Sequence, residues 1–113
     1  MKAARRRTMN PEIDERGTKR WYENGELHRI DGAAEIHANG DQFWYKDGLR
    51  HRIDGPAVIL ANGKQFWYLD DVQYNFARWL ELTPLYNNAK LLLQIQWSDH
   101  ESGNRRTRQS GLV

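Results

Sequence analysis

A spacing of 23 residues governs this chain. The stretch Trp44-Tyr45-Lys46-Asp47-Gly48-Leu49-Arg50-His51-Arg52-Ile53-Asp54-Gly55-Pro56-Ala57 is echoed 23 positions earlier by Trp21-Tyr22-Glu23-Asn24-Gly25-Glu26-Leu27-His28-Arg29-Ile30-Asp31-Gly32-Ala33-Ala34. A third copy opens 23 positions later as Trp67-Tyr68-Leu69-Asp70-Asp71-Val72-Gln73-Tyr74 and then decays. Self-similarity at a fixed period restricts a chain to repeat architectures, in which each unit leans on its neighbours to bury its apolar side.

The punctuation of the repeat predicts strands. Asn24-Gly25 and Asp47-Gly48 separate short strand-like runs, and such pairs favour the tight hairpin turn with positive φ at both central residues. Gly17, Gly40 and Gly63 mark a second series of turns, also 23 apart. Between them the runs 18–23, 26–30, 33–37, 41–46, 49–53, 56–60, 64–69 and 72–74 read as an antiparallel meander. Asp31-Gly32 and Asp54-Gly55 predict a kink or bulge in each return arm. Alternation places Trp21, Trp44 and Trp67 on one face and Tyr22, Phe43, Tyr45, Phe66 and Tyr68 on the other. One sheet cannot bury both ladders by itself, so the remainder of the chain should cover one of them.

That remainder reads as helix. Asn75 is placed to cap Phe76–Leu82, in which Phe76, Trp79 and Leu80 share a face. Thr83-Pro84 is a second start signal, predicting a helix over 84–97 with Leu85, Ala89, Leu92, Leu93 and Gln96 along its stripe. The expected division is a flexible basic arm at 1–16, the β-meander at 17–74, a helical cap at 75–97 and a disordered basic tail at 98–113. The arm has five cations (Lys2, Arg5, Arg6, Arg7, Arg16), and the tail contributes Arg105, Arg106 and Arg108, whereas the repeats are slightly acidic.

Composition narrows function. With only 39% hydrophobic residues, the chain must build its core from a few large rings, and it has 5 Trp, 5 Tyr and 3 Phe for that purpose. Cysteine is absent, which excludes disulfides and thiol chemistry. No run approaches the length of a membrane helix, and the basic start lacks the apolar stretch of a secretion signal. The expectation is a cytoplasmic protein with no membrane span.

The pairs His28/Asp31 and His51/Asp54 suggest a base with its orienting carboxylate. No nucleophile accompanies them, and they recur with the repeat, as structural motifs do. The reading adopted is structural: His28, Asp31, Gly32, His51, Asp54 and Gly55 brace the sheet, the His by bonding across it and the Asp by capping the Gly turn. His37 and His100 complete no ligand set, so neither metal nor cofactor is expected. Arg29, Arg50 and Arg52 near the Trp residues resemble a stacking platform for nucleic acid, but Glu23, Glu26, Glu35, Asp41 and Asp47 on the same strands would repel phosphates.

The pattern resembles MORN-like repeats, β-hairpin units of this length stacked into an elongated sheet, and more closely the variant Trp-Tyr-x-(Asn/Asp)-Gly-x-x-His-Arg-x-Asp-Gly-Pro-Ala found in proteins of bacteriophages and large viruses. Trp44–Ala57 carries the variant in full, and Trp21–Ala34 carries it with Ala33 in place of Pro. The third copy loses the turn Gly (Asp71), the His (Tyr74) and the Asp-Gly. The resemblance implies a mainly β fold, about two and a half repeats capped by two C-terminal helices, and no shared catalysis. It points to a phage-type accessory protein that binds and inhibits a host factor. The surface expected to meet a protein partner is Trp21, Trp44, Trp67, Tyr45, Tyr68, Arg50 and Arg52. Nucleic-acid binding through the basic ends and the Arg-bearing face is the alternative, and self-association through the first strand or an uncovered face is a further expectation.

Overall fold

The computed structural model of the protein describes residues 10–102. It is an antiparallel meander followed by two helices, as the sequence predicts. Seven strands, β1 (Glu12–Ile13), β2 (Lys19–Arg20), β5 (Glu35–Ile36), β6 (Gln42–Phe43), β9 (Val58–Ile59), β10 (Gln65–Leu69) and β11 (Val72–Tyr74), lie side by side in chain order. Two small hairpins stand off this sheet: β3 (Tyr22–Glu23) with β4 (Glu26–Leu27), and β7 (Tyr45–Lys46) with β8 (Leu49–Arg50).

Each hairpin begins where an aromatic strand changes partner, and the change falls on tryptophan. The Trp21 N–H donates to Ala34 O at 2.8 Å, while Trp21 O accepts from His28 N at 3.0 Å. Trp44 repeats this with Ala57 O at 2.7 Å and His51 N at 3.1 Å. The hairpins are also tied to one another. Arg29 N donates to Tyr45 O and Gly48 N to Leu27 O; 23 residues on, Arg52 N donates to Tyr68 O and Asp71 N to Arg50 O. The period in the sequence is therefore a period in hydrogen bonds.

The tip turns keep their form even where the glycine is lost. Asn24-Gly25, Asp47-Gly48 and Asp70-Asp71 all have positive φ at both residues. Asp71, at φ 71°, adopts the left-handed conformation without glycine's freedom. Its carboxylate offsets the strain by accepting from Arg50 Nε at 2.7 Å and Arg50 N at 3.3 Å. The third turn is thus complete without its glycine, held by an arginine from the preceding unit.

The core lies at the C-terminal end. Trp67, Phe76, Trp79 and Leu93 form one buried cluster, with Leu69, Tyr74, Leu80, Leu85 and Trp97 packed against it. Helix α1 (Phe76–Leu82) has Asn75 as its cap, the side chain accepting from Arg78 N at 2.8 Å. Its Trp79 ring meets Trp67 at a centroid distance of 4.6 Å. Helix α2 (Asn87–Ser102) closes the cluster through Leu93.

Several boundaries differ from expectation, each for a tertiary reason. Glu12–Ile13 belongs to the sheet, paired with Lys19–Arg20, and Asp14 holds the intervening turn by accepting from Arg16 N and Thr18 N. The expected arm thus gives up its last residues to β1, while residues 1–9 lie outside the described chain. Thr83 does not start the second helix. It ends α1, and its hydroxyl donates to Ile53 O at 2.6 Å. α2 starts later than predicted and continues through Ser102, into the segment expected to be tail; residues 103–113 lie outside the described chain. Its buried side is Leu93 with Trp97, whereas Leu92, predicted in the stripe, is 67% exposed.

Candidate functional site

The repeated signature is a set of interlocking contacts. In both full copies the Arg after the His lies over the unit's own Trp: Arg29 Cζ is 3.7 Å from the Trp21 ring centroid and Arg52 Cζ 4.0 Å from that of Trp44. Each guanidinium is then pinned twice. Arg29 donates Nε to Asp31 Oδ1 and Nη1 to Ala33 O; Arg52 donates Nε to Asp54 Oδ1 and Nη1 to Pro56 O. Asp31 and Asp54, expected to cap the Gly turns, instead orient these arginines. Burial pushes the Arg52 pKa down and Asp54 partly restores it.

The glycine of the signature makes room for the arginine. Gly32 and Gly55 lie at the bends expected in the return arms, but neither has left-handed φ. A Cβ on Gly55 would come within 2.7 Å of Arg52 Cζ, and one on Gly32 within 3.1 Å of Arg29 Cζ. The arginine is a flat plate held between an indole ring and a bare Cα.

The histidines join one unit to the next. His28 Nδ1 accepts from Asp47 N at 2.9 Å, and His51 Nδ1 accepts from Asp70 N at 3.0 Å. Each ring therefore receives the first N–H of the following unit's turn, with its Nδ1 lone pair in use. His28 Nε2 faces Glu23 Oε1 at 3.0 Å. In the second unit, Lys46 occupies the position of Glu23.

Burial lowers the His51 pKa below its ordinary value of 6.5; Asp70 opposes the shift and Lys46 adds to it. Because the folded value is the lower one, protonation favours the unfolded chain. The stability that neutral His51 contributes is complete above pH ~6.5 and is lost as pH falls below it. Thermal melts between pH 7.5 and 5.5 should show a fall in Tm that is smaller in His51→Asn, whose amide oxygen can accept the same N–H. An equal fall in both proteins would assign the pH dependence elsewhere.

The residues expected to form one partner surface divide between two faces and the core. Trp21 and Trp44 lie half-buried beneath their arginines on the face that the helices share. Trp67 is a core residue, 2% exposed under α1, and so is withdrawn from any surface. Tyr45, Tyr68 and Arg50 belong to the opposite face. There Tyr45 and Arg50 are cross-strand partners, and Arg50 reaches over the Tyr68 ring at 4.5 Å.

Which rung the helices cover follows from two positions in each unit. The Trp is accompanied by Glu23 and His28 in the first unit, by Lys46 and His51 in the second, and by Leu69 and Tyr74 in the third. Only the last trio is apolar enough to meet Phe76 and Trp79, and Leu69 and Tyr74 do pack on the core cluster. The helices stop after this one rung. Beside them a groove of about 1000 Å³ remains open, with Trp44 and Arg52 against its floor, His28 and Lys46 along it, and Ile30, Ile53 and Pro84 also lining it. Ile30 is 73% exposed and Ile53 37%. Sequence reasoning passed over both isoleucines, although they are the one apolar position within each His-Arg-x-Asp-Gly stretch.

Among the described residues no group of three or more His, Asp or Glu is arranged to hold a metal ion, and no helix is long and apolar enough to cross a membrane. No family model, curated protein or solved structure matches the chain.

Proposed function

We propose that this protein is a non-catalytic, MORN-like binding module whose groove beside Trp44 takes a segment of a partner protein. The observation that carries this reading is the incomplete cover of the Trp face: two helices bury the third rung and leave the second open. Concave sites with an aromatic floor, a few apolar anchors and fixed polar groups are the usual form of a binding surface. Against catalysis stands the use of both Nδ1 lone pairs in joining repeats. Nucleic acid is disfavoured in this groove because Glu23, Asp31, Asp47 and Asp54 line it beside the cations. By its resemblance to phage and viral repeats, the protein acts in a host cytoplasm as an accessory that blocks a host factor.

Ile30→Glu tests the groove. The side chain is mostly in water, so the fold should keep its Tm within a degree or two. A partner recovered by affinity capture should bind the variant about tenfold or more weakly in calorimetric titration. Unchanged affinity, with binding lost instead on Tyr68→Ala, would move the partner site to the opposite face.

A further inference from the structure

The chain itself shows how a helix docks on this scaffold. Trp79 lays its ring on Trp67 and donates Nε1 to Arg52 O at 3.1 Å. One turn later, Thr83 donates Oγ1 to Ile53 O at 2.6 Å. The receptor for α1 is thus a Trp of one unit together with two successive carbonyls from the signature of the preceding unit.

The same pair of carbonyls exists one repeat earlier, beside Trp44, whose outer face there carries the Arg52 guanidinium for an incoming ring to meet. Arg29 and Ile30 precede Arg52 and Ile53 by 23 residues, as Trp44 precedes Trp67. The register is preserved as well, since Arg29 N donates to Tyr45 O and Arg52 N to Tyr68 O, both at 3.3 Å. Among the described residues no hydrogen bond reaches Arg29 O or Ile30 O, and the groove opens at this place. We infer that this second receptor holds an amphipathic helix of a partner protein, seated as α1 is seated, with an aromatic donor followed one turn later by a hydroxyl.

Two differences between the receptors set the charge of that helix. Where α1 meets Leu69, the incoming helix meets Lys46, an exposed cation with no ion pair among the described residues. At the position of Asn75 stands Arg52, stacked on Trp44. Arg52 is already paired with Asp54, so Lys46 is the cation the incoming helix meets, and a single carboxylate placed against Lys46 on its docking face complements it. A second copy of the chain cannot supply its own α1, because Trp79 and Thr83 are fully enclosed in the fold.

This inference rests on the groove reading above, and one probe separates the two. The probe is a synthetic peptide of residues 75–84, held helical by a hydrocarbon bridge between positions 77 and 81, both exposed in α1. Titrated into the full-length protein, it should shift the amide signals of Arg29 and Ile30 and the indole signal of Trp44 saturably. Ile30→Glu should abolish those shifts. A peptide carrying Trp79→Phe and Thr83→Val should bind about tenfold more weakly, the worth of two hydrogen bonds near 1 kcal/mol each less what the Phe ring retains. Absence of shifts at millimolar peptide, or shifts confined to the surroundings of Trp67, overturns the inference. A captured partner that is lost on Ile30→Glu but not displaced by the peptide overturns it too, while sustaining the groove. A partner indifferent to Ile30→Glu overturns both.

Discussion

Trp79→Ala should destabilise the protein by about 3–5 kcal/mol, read as a lower denaturant midpoint with little change in slope. The indole is fully buried, packs on Trp67 and Phe76, and donates to Arg52 O. Its removal opens a ring-sized cavity in the buried cluster formed with Trp67, Phe76 and Leu93 and leaves a carbonyl without its donor. Domains of this size hold roughly 5–15 kcal/mol in total, so a loss of this order unfolds a visible fraction at 37 °C. Trp79→Phe separates the contributions: most of the ring packing survives, and about 1 kcal/mol should go with the N–H. Trp44→Ala is the internal comparison, and its half-exposed ring should cost less than Trp79. A Trp79→Ala loss below 1 kcal/mol would mean that the helices are not what closes the open end of the sheet.

Much of this architecture was legible in the sequence because its causes are local. Asn-Gly and Asp-Gly at a fixed spacing state where φ must be positive, and from that the hairpins and the meander follow. Asn75 before Phe76-Ala77-Arg78 is a cap that needs only three residues to act. What escaped was decided by contacts far along the chain. Asp70-Asp71 reads as the last turn of its series without a glycine, and what holds it in that form is Arg50, 21 residues away. Thr83-Pro84 has the form of a helix start, but Ile53 O claims the hydroxyl across 30 residues. Leu92 fits the apolar stripe of α2 by periodicity, but the side that meets the cluster runs through Leu93 and Trp97 and leaves Leu92 outside it.

The site was legible in its residues and not in its grouping. Alternation separated the Trp ladder from the Tyr ladder, but it could not say which rung would be covered. The signal was present at two positions: Glu23, Lys46 and Leu69 occupy equivalent places, as do His28, His51 and Tyr74. Their change from polar to apolar marks the rung that meets the helices. The glycine of Asp-Gly misled in a different way. Glycine ordinarily announces a special backbone, and here it announces an absent side chain, visible only once Arg52 is seen lying against it.

Gly55→Ala should therefore destabilise by about 1–3 kcal/mol, the range for forcing a methyl into a filled site. The added Cβ meets the centre of a guanidinium fixed by Trp44, Asp54 and Pro56, so the arginine cannot simply swing away. Arg52→Ala alone should cost about 2 kcal/mol through the lost ring contact, hydrogen bonds and stem packing. The two effects share one cause, and neighbours that share a cause do not add. The most direct test of whether the repeated signature is scaffold is the double-mutant cycle of Gly55→Ala with Arg52→Ala in chemical denaturation. A structural signature predicts that Gly55→Ala costs only a few tenths of a kcal/mol once Arg52 is gone, giving a coupling above about 1 kcal/mol. An equal cost in both backgrounds would show that Gly55 serves the backbone alone, and the assignment of the signature to holding arginine on tryptophan would fail.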